Sequence, residues 1–164
     1  MTVDIADLLA AARARGVRIA TAESCTGGMV AAALTDIPGS SDVVDRGFVT
    51  NSNDAKQDML GGKRTTLKAH GAVSEEIAVE MANGALAHAH AHLAVSITGI
   101  AGPGGSEFKP EGRVCFGLAQ TGAPTFCETV EFGALGRDAV RLAARDHALA
   151  LIATALSKPA APTS

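Results

Sequence analysis

The segment LAVSIT, residues 93–98, constrains the fold more than any other stretch because it is a continuous run of apolar and small residues. A strand with one face in solvent would alternate apolar and polar residues. A continuous run instead suits a strand buried on both faces, and such strands lie in sheets that carry helices on either side. The glycine-rich segment GIAGPGG begins where this predicted strand ends.

The rest of the chain alternates between helical spacing and strand-like segments. Helices are predicted over residues 4–15, 27–37, 53–61, 74–91 and 136–157, with Asn53 and Ser74 as the N-caps of the third and fourth. The other predicted strands are 17–24, 43–50 and a hairpin of 113–120 with 125–132. This order predicts a three-layer α/β/α sandwich with a mostly parallel mixed sheet. We expect one domain over residues 1–157 and a disordered tail over 158–164.

The charge balance argues against several classes of partner. Fourteen basic and 17 acidic side chains give a formal net charge of −3, so nothing attracts nucleic acid or anionic lipid broadly. Trp and Tyr are absent, which removes the usual stacking platforms for single-stranded nucleic acid. No stretch approaches the roughly 20 apolar residues of a spanning helix, and no signal-peptide pattern begins the chain. We expect a cytoplasmic protein with neither nucleic-acid nor membrane partners.

The cysteines and histidines do not form a metal-binding pattern. Cys25, Cys115 and Cys127 are odd in number and lack CxxC spacing, which suits reduced thiols. The histidines of HAHAH, residues 88–92, end a predicted helix, where i, i+2 spacing sends consecutive side chains roughly 200° apart. On a strand they would share one face, but the long helical pattern before them favours solvated side chains. No structural metal is expected.

The segment AESCTGG, residues 22–28, places Ser24, Cys25 and Thr26 between a predicted strand and a predicted helix. A nucleophile in this position is presented on a turn, and the first N–H groups of the helix can stabilise an oxyanion. On spacing alone, a helix cap is the favoured role for Ser24 or Thr26, because it is common for these residue types. Cys25 is the better intrinsic nucleophile, but no histidine lies nearby in sequence, so a buried structural thiol is favoured.

The segment GIAGPGG can expose several backbone N–H groups, which is how a loop without cationic side chains holds a phosphate. Its four glycines, which give a ligand access to the backbone, are Gly99, Gly102, Gly104 and Gly105. Gly105 stands where a P-loop requires lysine, so ATP hydrolysis is disfavoured. A flexible connector is the alternative, and the flanking Thr98 and Lys109 offer a hydroxyl and a charge.

Three cations are candidates for the same site. Lys56 lies in SNDAK, and burial would lower its pKa enough for the neutral amine to accept a proton from a serine. The alternative is a solvated helix lysine, as most lysines are. Arg46 and Arg137 are interpreted first as surface cations and second as phosphate ligands.

Four motifs in order carry a resemblance to a known family: TAESCTGG, DIPGSSDVVDRGFVTNSNDAK, HGAVSEEIA and TGIAGPGGSEFKPEGRV. They closely resemble the C-terminal domain of the competence/damage-inducible CinA family from about residue 20 to residue 117, and GRDAVR is a further, weaker match. The chain looks like a free-standing version, without the molybdopterin-binding-like domain of longer members.

The resemblance implies nicotinamide-nucleotide amidohydrolase activity, which converts nicotinamide mononucleotide and water to nicotinic acid mononucleotide and ammonia in pyridine-nucleotide recycling. It implies Ser24 as the nucleophile and Lys56 as the general base. It also implies pocket hydroxyls at Ser41 and Thr98 and a substrate-binding arginine at Arg137. No metal or organic cofactor is implied.

One position departs from the family pattern. Relatives commonly carry tyrosine after GFVT, and here that position is Asn51, which can hydrogen-bond substrate but cannot act as an acid or base near neutral pH. A non-catalytic nucleotide-binding module, or a regulatory partner in competence or DNA-damage responses, is therefore the alternative to an enzyme. A homo-oligomer, dimer or larger, is typical of small α/β enzymes.

Overall fold

The computed structural model describes residues 2–158 and contains one five-stranded sheet. The sheet order is β2-β1-β3-β4-β5, with β1 parallel to both β2 and β3, and β4 antiparallel to both β3 and β5. The strands are β1 (Ile19–Glu23), β2 (Val44–Val49), β3 (Leu93–Gly99), β4 (Arg113–Gln120) and β5 (Phe126–Glu131). The α/β fold with a mixed sheet is confirmed, and the predicted hairpin supplies its antiparallel part.

Six α-helices cover the two faces of the sheet. They are α1 (Ile5–Arg15), α2 (Met29–Thr35), α3 (Asn53–Leu60), α4 (Arg64–His70), α5 (Glu75–Ala87) and α6 (Arg137–Ser157), with a short 3₁₀ helix at Ser40–Asp42. Helices α1, α2 and α6 pack together on one face, and α3, α4 and α5 pack together on the other. The central strands β1 and β3 are therefore buried on both sides, as the apolar run predicts.

Alternate residues of β1 face the two layers. Ile19 packs among the α1, α2 and α6 side chains, whereas Ala20 and Ala22 pack against α5. With no Trp or Tyr available, aliphatic residues build both layers, and Phe116 of β4 is the one fully buried aromatic side chain among the described residues. Dispersion and apolar burial in these two layers hold the helices against the two faces of the sheet.

The structure corrects three details of the helices. The N-cap of α3 is Ser52, whose side chain accepts from the Ala55 amide, and not Asn53, which begins the helix. Helix α4 was not predicted, because none of its residues is buried and its pattern is weak. Helix α5 begins after the predicted cap Ser74 but ends at Ala87, before the predicted 91.

Residues 159–164, most of the segment predicted to be a disordered tail, lie outside the described residues. Over residues 2–158, no helix combines the length and apolar character that crossing a bilayer requires. Cys25, Cys115 and Cys127 carry free thiols.

The topology brings several loops to one edge of the sheet. Strands β1, β2 and β3 are mutually parallel through β1, so the loops that follow them leave from the same edge. Ser24 follows β1, Thr50 follows β2 and Ile100 follows β3. The candidate site lies there.

Candidate active site

Ser24 is the first residue after β1, on the turn that leads into α2. Its amide donates to the Ile97 carbonyl at 2.9 Å, so it remains tied to the neighbouring strand β3. Gly27 and Gly28 then take positive φ values of 60° and 105°, which lets the chain turn sharply before Met29. The turn presents the Ser24 hydroxyl at the carboxyl edge of the sheet.

Lys56 lies in the first turns of α3 and reaches under this turn. It is only 1% exposed, and its Nζ lies 3.0 Å from Ser24 Oγ. The same nitrogen donates to the carbonyl oxygen of Thr50 at 2.8 Å. The Thr50 carbonyl therefore holds the amine in place, and the serine hydroxyl is its second polar neighbour.

Burial lowers the pKa of Lys56 below its ordinary value of 10.5, because the site cannot solvate an ammonium as water does. Negative charge on Cys25, when its thiol is ionised, and on Glu107 acts in the opposite direction and raises the pKa by smaller amounts. No carboxylate forms an ion pair with Lys56 within the described residues. The net effect shifts the equilibrium toward the neutral amine, and the solvated-lysine alternative does not agree with this position.

Cys25, next to Ser24, is in a different chemical state. Burial raises the pKa of its thiol to about 11, with Arg141 and Lys56 lowering it by smaller amounts. The thiolate is the nucleophilic form of cysteine, and it is scarce at neutral pH when the pKa is this high. Cys25 lines the site as a protonated thiol.

Glu23 has an unanticipated role at this turn. The residue is fully buried at the end of β1, and its carboxylate accepts hydrogen bonds from the hydroxyl of Thr26 at 2.6 Å and from the amides of Gly28, Val30 and Ala31. An acidic residue shortly before a glycine-rich helix start is the sequence signal for such a cap. Since Glu23 occupies these amides, the start of α2 is closed to a substrate anion.

Arg141 of α6 holds the other side of the same turn. Its Nε donates to the Cys25 carbonyl at 3.0 Å, and one Nη lies 3.5 Å from the Thr26 carbonyl. In a trans peptide the carbonyl and the following N–H point in opposite directions, so Arg141 also fixes the direction of the Thr26 N–H. The amides of Cys25 and Thr26 donate to no backbone carbonyl among residues 2–158, whereas the Gly27 amide donates to the Ser24 carbonyl. Of the amides that follow Ser24, those of Cys25 and Thr26 are therefore not used by a backbone carbonyl.

A cavity of about 300 Å³ opens beside Ser24 and Lys56. It brings together all but one of the predicted site residues. Those that line it are Ser24, Asn51, Lys56, Thr98, Gly99, Gly102, Gly104, Gly105 and Arg137. Cys25, Asn53, Ser106 and Glu107 also contribute to its wall. The Thr98 hydroxyl donates to the Ala72 carbonyl at 2.7 Å, which fixes this side chain at the wall.

The glycine loop is tied to the start of α6 by two side chains. The carboxylate of Glu111 accepts from the Gly104 amide at 2.6 Å and from the Gly136 amide at 3.2 Å. Arg137 donates from Nη1 to the Gly102 carbonyl at 2.7 Å, which leaves the rest of its guanidinium beside the cavity. These contacts fix the position of the glycine loop. The Gly104 amide already has an anionic partner in the Glu111 carboxylate.

Ser41 and Lys109 do not join the cavity. Ser41 lies exposed in the 3₁₀ helix before β2, at the amino end of that strand, whereas the cavity lies at the carboxyl end. Ser41 therefore does not line this cavity, since a strand length separates the two ends. Lys109 instead donates to the carbonyls of His70 and Val73. Arg46 pairs with Asp45 and also stands away from the cavity.

The described residues contain no group of three or more His, Cys, Asp or Glu side chains placed to hold a metal ion. The histidines of HAHAH make local contacts: His88 Nδ1 lies 2.8 Å from the Gly84 carbonyl, and His92 Nδ1 accepts from the Arg18 amide. The cavity itself offers hydroxyl, amine, amide and guanidinium groups. These groups suit acyl transfer from a small anionic substrate.

Comparison with known sequences identifies a family. A sequence model described as the CinA C-terminal domain matches residues 4–156. Nicotinamide-nucleotide amidohydrolase PncC of Escherichia coli strain K12 is 54% identical over 140 residues, which are 85% of this chain and 84% of that protein. A CinA-like protein of Chlorobium phaeobacteroides is 60% identical over 105 residues, which are 63% of this chain. The matched regions are only 25% and 30% of two CinA-like relatives, so the chain spans a minor part of those proteins.

Solved structures give the same result for the fold. The crystal structure of competence/damage inducible protein CihA from Agrobacterium tumefaciens aligns with a TM-score of 0.89 and 46% identity, over 94% of this chain and 93% of that one. A CinA superfamily protein from Escherichia coli aligns with a TM-score of 0.85 and 36% identity, over 92% and 90% of the two chains.

Proposed function

Because the chain belongs to the family of CinA C-terminal domains, we propose that it is an amidohydrolase that converts nicotinamide mononucleotide and water to nicotinic acid mononucleotide and ammonia. The observation that carries the proposal is the buried Lys56 amine, 3.0 Å from the Ser24 hydroxyl at the wall of a cavity. Similarity to proteins named nicotinamide-nucleotide amidohydrolase PncC supports the substrate and a place in pyridine-nucleotide recycling.

Acylation begins with attack by Ser24 Oγ on the carboxamide carbon. The neutral Lys56 amine accepts the hydroxyl proton as the new C–O bond forms, while its own N–H remains bonded to the Thr50 carbonyl. The carbonyl π electrons move onto oxygen, and the resulting oxyanion is stabilised by the amides of Cys25 and Thr26. Arg141 and Glu23 keep that turn from relaxing during the step.

The second half of the reaction returns the enzyme to its starting state. The Lys56 ammonium gives its proton to the departing nitrogen, the C–N bond breaks, and ammonia leaves an acyl-Ser24 ester. A water molecule then attacks the ester carbon as Lys56 accepts a proton from it. Collapse of the tetrahedral intermediate releases the carboxylate product, and Ser24 regains its proton from Lys56.

Remote groups of the substrate provide the orientation. Arg137, at the junction of the glycine loop and α6, is the cation available to the 5′-phosphate. Asn51 and Thr98 offer polar contacts nearer the ring and ribose. Binding the phosphate at a distance from Ser24 places the amide at the nucleophile and lowers the entropic cost of attack.

Product analysis tests the proposal. The purified protein is incubated separately with nicotinamide mononucleotide, nicotinamide riboside and NAD, and ammonia and the acid products are measured. We expect turnover of the mononucleotide, with a much higher KM for the riboside because it lacks the phosphate that Arg137 binds. Binding of the mononucleotide without ammonia release would instead identify a non-catalytic nucleotide-binding module and overturn the proposal.

A further inference from the structure

We propose that Glu107 makes the cavity selective for substrates with a cationic ring, by placing a carboxylate against the positive charge of the pyridinium. The inference rests on the proposed function and extends it, since it names the group that recognises the ring charge rather than the amide or the phosphate. It makes Glu107 a specificity-determining residue of the same site.

The charges on the cavity wall match a substrate with two opposite charges. Glu107 is the one acidic residue among the described residues that line the cavity, and Lys56 and Arg137 are the cations. Arg137 suits a phosphate, and Lys56 acts as a neutral amine. A pyridinium nucleotide carries a cationic ring and an anionic phosphate, so Glu107 and Arg137 provide one complementary charge for each.

The wall offers no aromatic face as an alternative contact for a cation. Rings with a positive charge are often held against the faces of aromatic side chains. The residues that line this cavity include no Phe, and the chain has no Trp or Tyr. A carboxylate is therefore the group present that distinguishes a charged ring from a neutral one.

The backbone holds Glu107 in a defined place. Ser106 and Lys109 exchange two backbone hydrogen bonds of 3.0 and 2.8 Å across a tight turn. Glu107 and Phe108 occupy the middle of this turn with φ values of 51° and 64°. Both side chains are exposed, and Glu107 also lines the cavity. The turn thus places the acidic residue at the cavity wall.

The Glu107 carboxylate lies against Gly71, beside the Lys109 ammonium. Within residues 2–158 it forms no salt bridge, and the nearby Lys109 ammonium donates to the carbonyls of His70 and Val73. Its charge is felt at Lys56, so it lies within electrostatic range of the reacting groups. A carboxylate at this range of a bound cation in a partly solvated site contributes on the order of a tenfold preference.

The test compares a charged and a neutral ring in two proteins. The substrates are nicotinamide mononucleotide and benzamide riboside 5′-monophosphate, whose phenyl ring has the same shape and carboxamide but no charge. We expect Glu107→Gln to lower kcat/KM for the charged substrate about tenfold and for the neutral one less than about twofold. The change in the ratio matters, because intrinsic reactivity and any effect on the Lys56 pKa apply to both substrates and cancel.

Two variants and one binding measurement complete the design. Glu131→Gln removes the same charge from β5, away from the cavity, and should leave the ratio unchanged. Glu107→Asp keeps the charge and should retain most of the preference. An equal loss on both substrates, or no loss on either, overturns the inference. Calorimetric dissociation constants for both compounds give the same ratio without turnover, so absent ammonia release rejects the proposed function while the binding ratio still decides the charge preference.

Discussion

Burial of the Lys56 amine affects stability as well as reactivity. The folded protein holds this lysine at a pKa below 10.5, whereas the unfolded chain has the ordinary value. Between those two values the unfolded chain binds more protons, so the free energy of unfolding rises with pH through this window. Below the lowered pKa, the full free-energy cost of burying a charged ammonium is present. Above pH 10.5 the amine is neutral in both states, and this cost is absent.

Lys56→Met removes this pH-dependent cost. We expect the unfolding free energy of the variant, minus that of the wild type, to fall as pH rises from the lowered pKa toward 10.5, by up to about 1.4 kcal/mol per pH unit. Urea denaturation of both proteins at several pH values measures the difference, and other titrating groups cancel in it. A difference that stays constant with pH would mean that the amine is solvated.

Cys25 is the neighbouring residue that tests which side chain attacks. Its thiol is protonated at neutral pH because its pKa is about 11, and Lys56 Nζ contacts Ser24 Oγ. We therefore expect Cys25→Ala to keep kcat for ammonia release within about threefold of the wild type. A loss comparable to that of a nucleophile would assign the attack to sulfur. Intact-protein mass and circular dichroism check that the variant is folded.

At the scale of elements, the join between β1 and α2 depends on Glu23. Each oxygen of the Glu23 carboxylate accepts at least one hydrogen bond. Every group that contacts it in this way is a hydroxyl or a backbone N–H, which can donate. In Glu23→Gln, an NH₂ group replaces one acceptor and faces a donor, which leaves a buried amide unsatisfied. The expected cost is about 1–3 kcal/mol of stability, with a fall in kcat because Ser24 and the oxyanion donors share the turn.

The same substitution elsewhere gives the control. Glu80 also accepts with both oxygens, from the Lys63 amide and the Thr66 hydroxyl, but it is only partly buried and lies near α4, away from the cavity. Glu80→Gln should cost less stability and leave kcat unchanged. Denaturation midpoints and ammonia release are measured on both variants. Equal effects on kcat would show that Glu23 has no special position.

Sequence patterns predict the helices and strands that bury an apolar face, and they do not indicate helix α4, which buries none. Strand β3 and helix α5 were evident because each buries a continuous or periodic set of apolar residues. Helix α4 buries none, so it left no periodic signal. Ser52 and Asn53 are both good caps, and only the observed hydrogen bond to Ala55 decides between them. A sequence pattern cannot decide between two N-cap candidates when the choice depends on a single hydrogen bond.

At the scale of the whole molecule, the site combines segments that are distant in sequence. The order of strands and helices predicts that the loops after β1 and β3 share an edge, and this placed Ser24 and the glycine loop together. Motif resemblance added Lys56. Pattern alone could not indicate Glu23 or Arg141, since their roles depend on how α2 and α6 pack around one turn. Ser41 does not line the cavity, and a motif does not state which end of a strand it occupies.

The central claim is that a neutral Lys56 activates Ser24 for attack on an amide. The most direct measurement is kcat/KM for ammonia release from nicotinamide mononucleotide by the wild type and by Ser24→Ala under the same conditions. We predict a fall of about 1000-fold or more, with the fold intact, because the remaining site can bind and orient the substrate but cannot form the acyl ester. Ser24→Ala releasing ammonia at the wild-type rate would contradict the account.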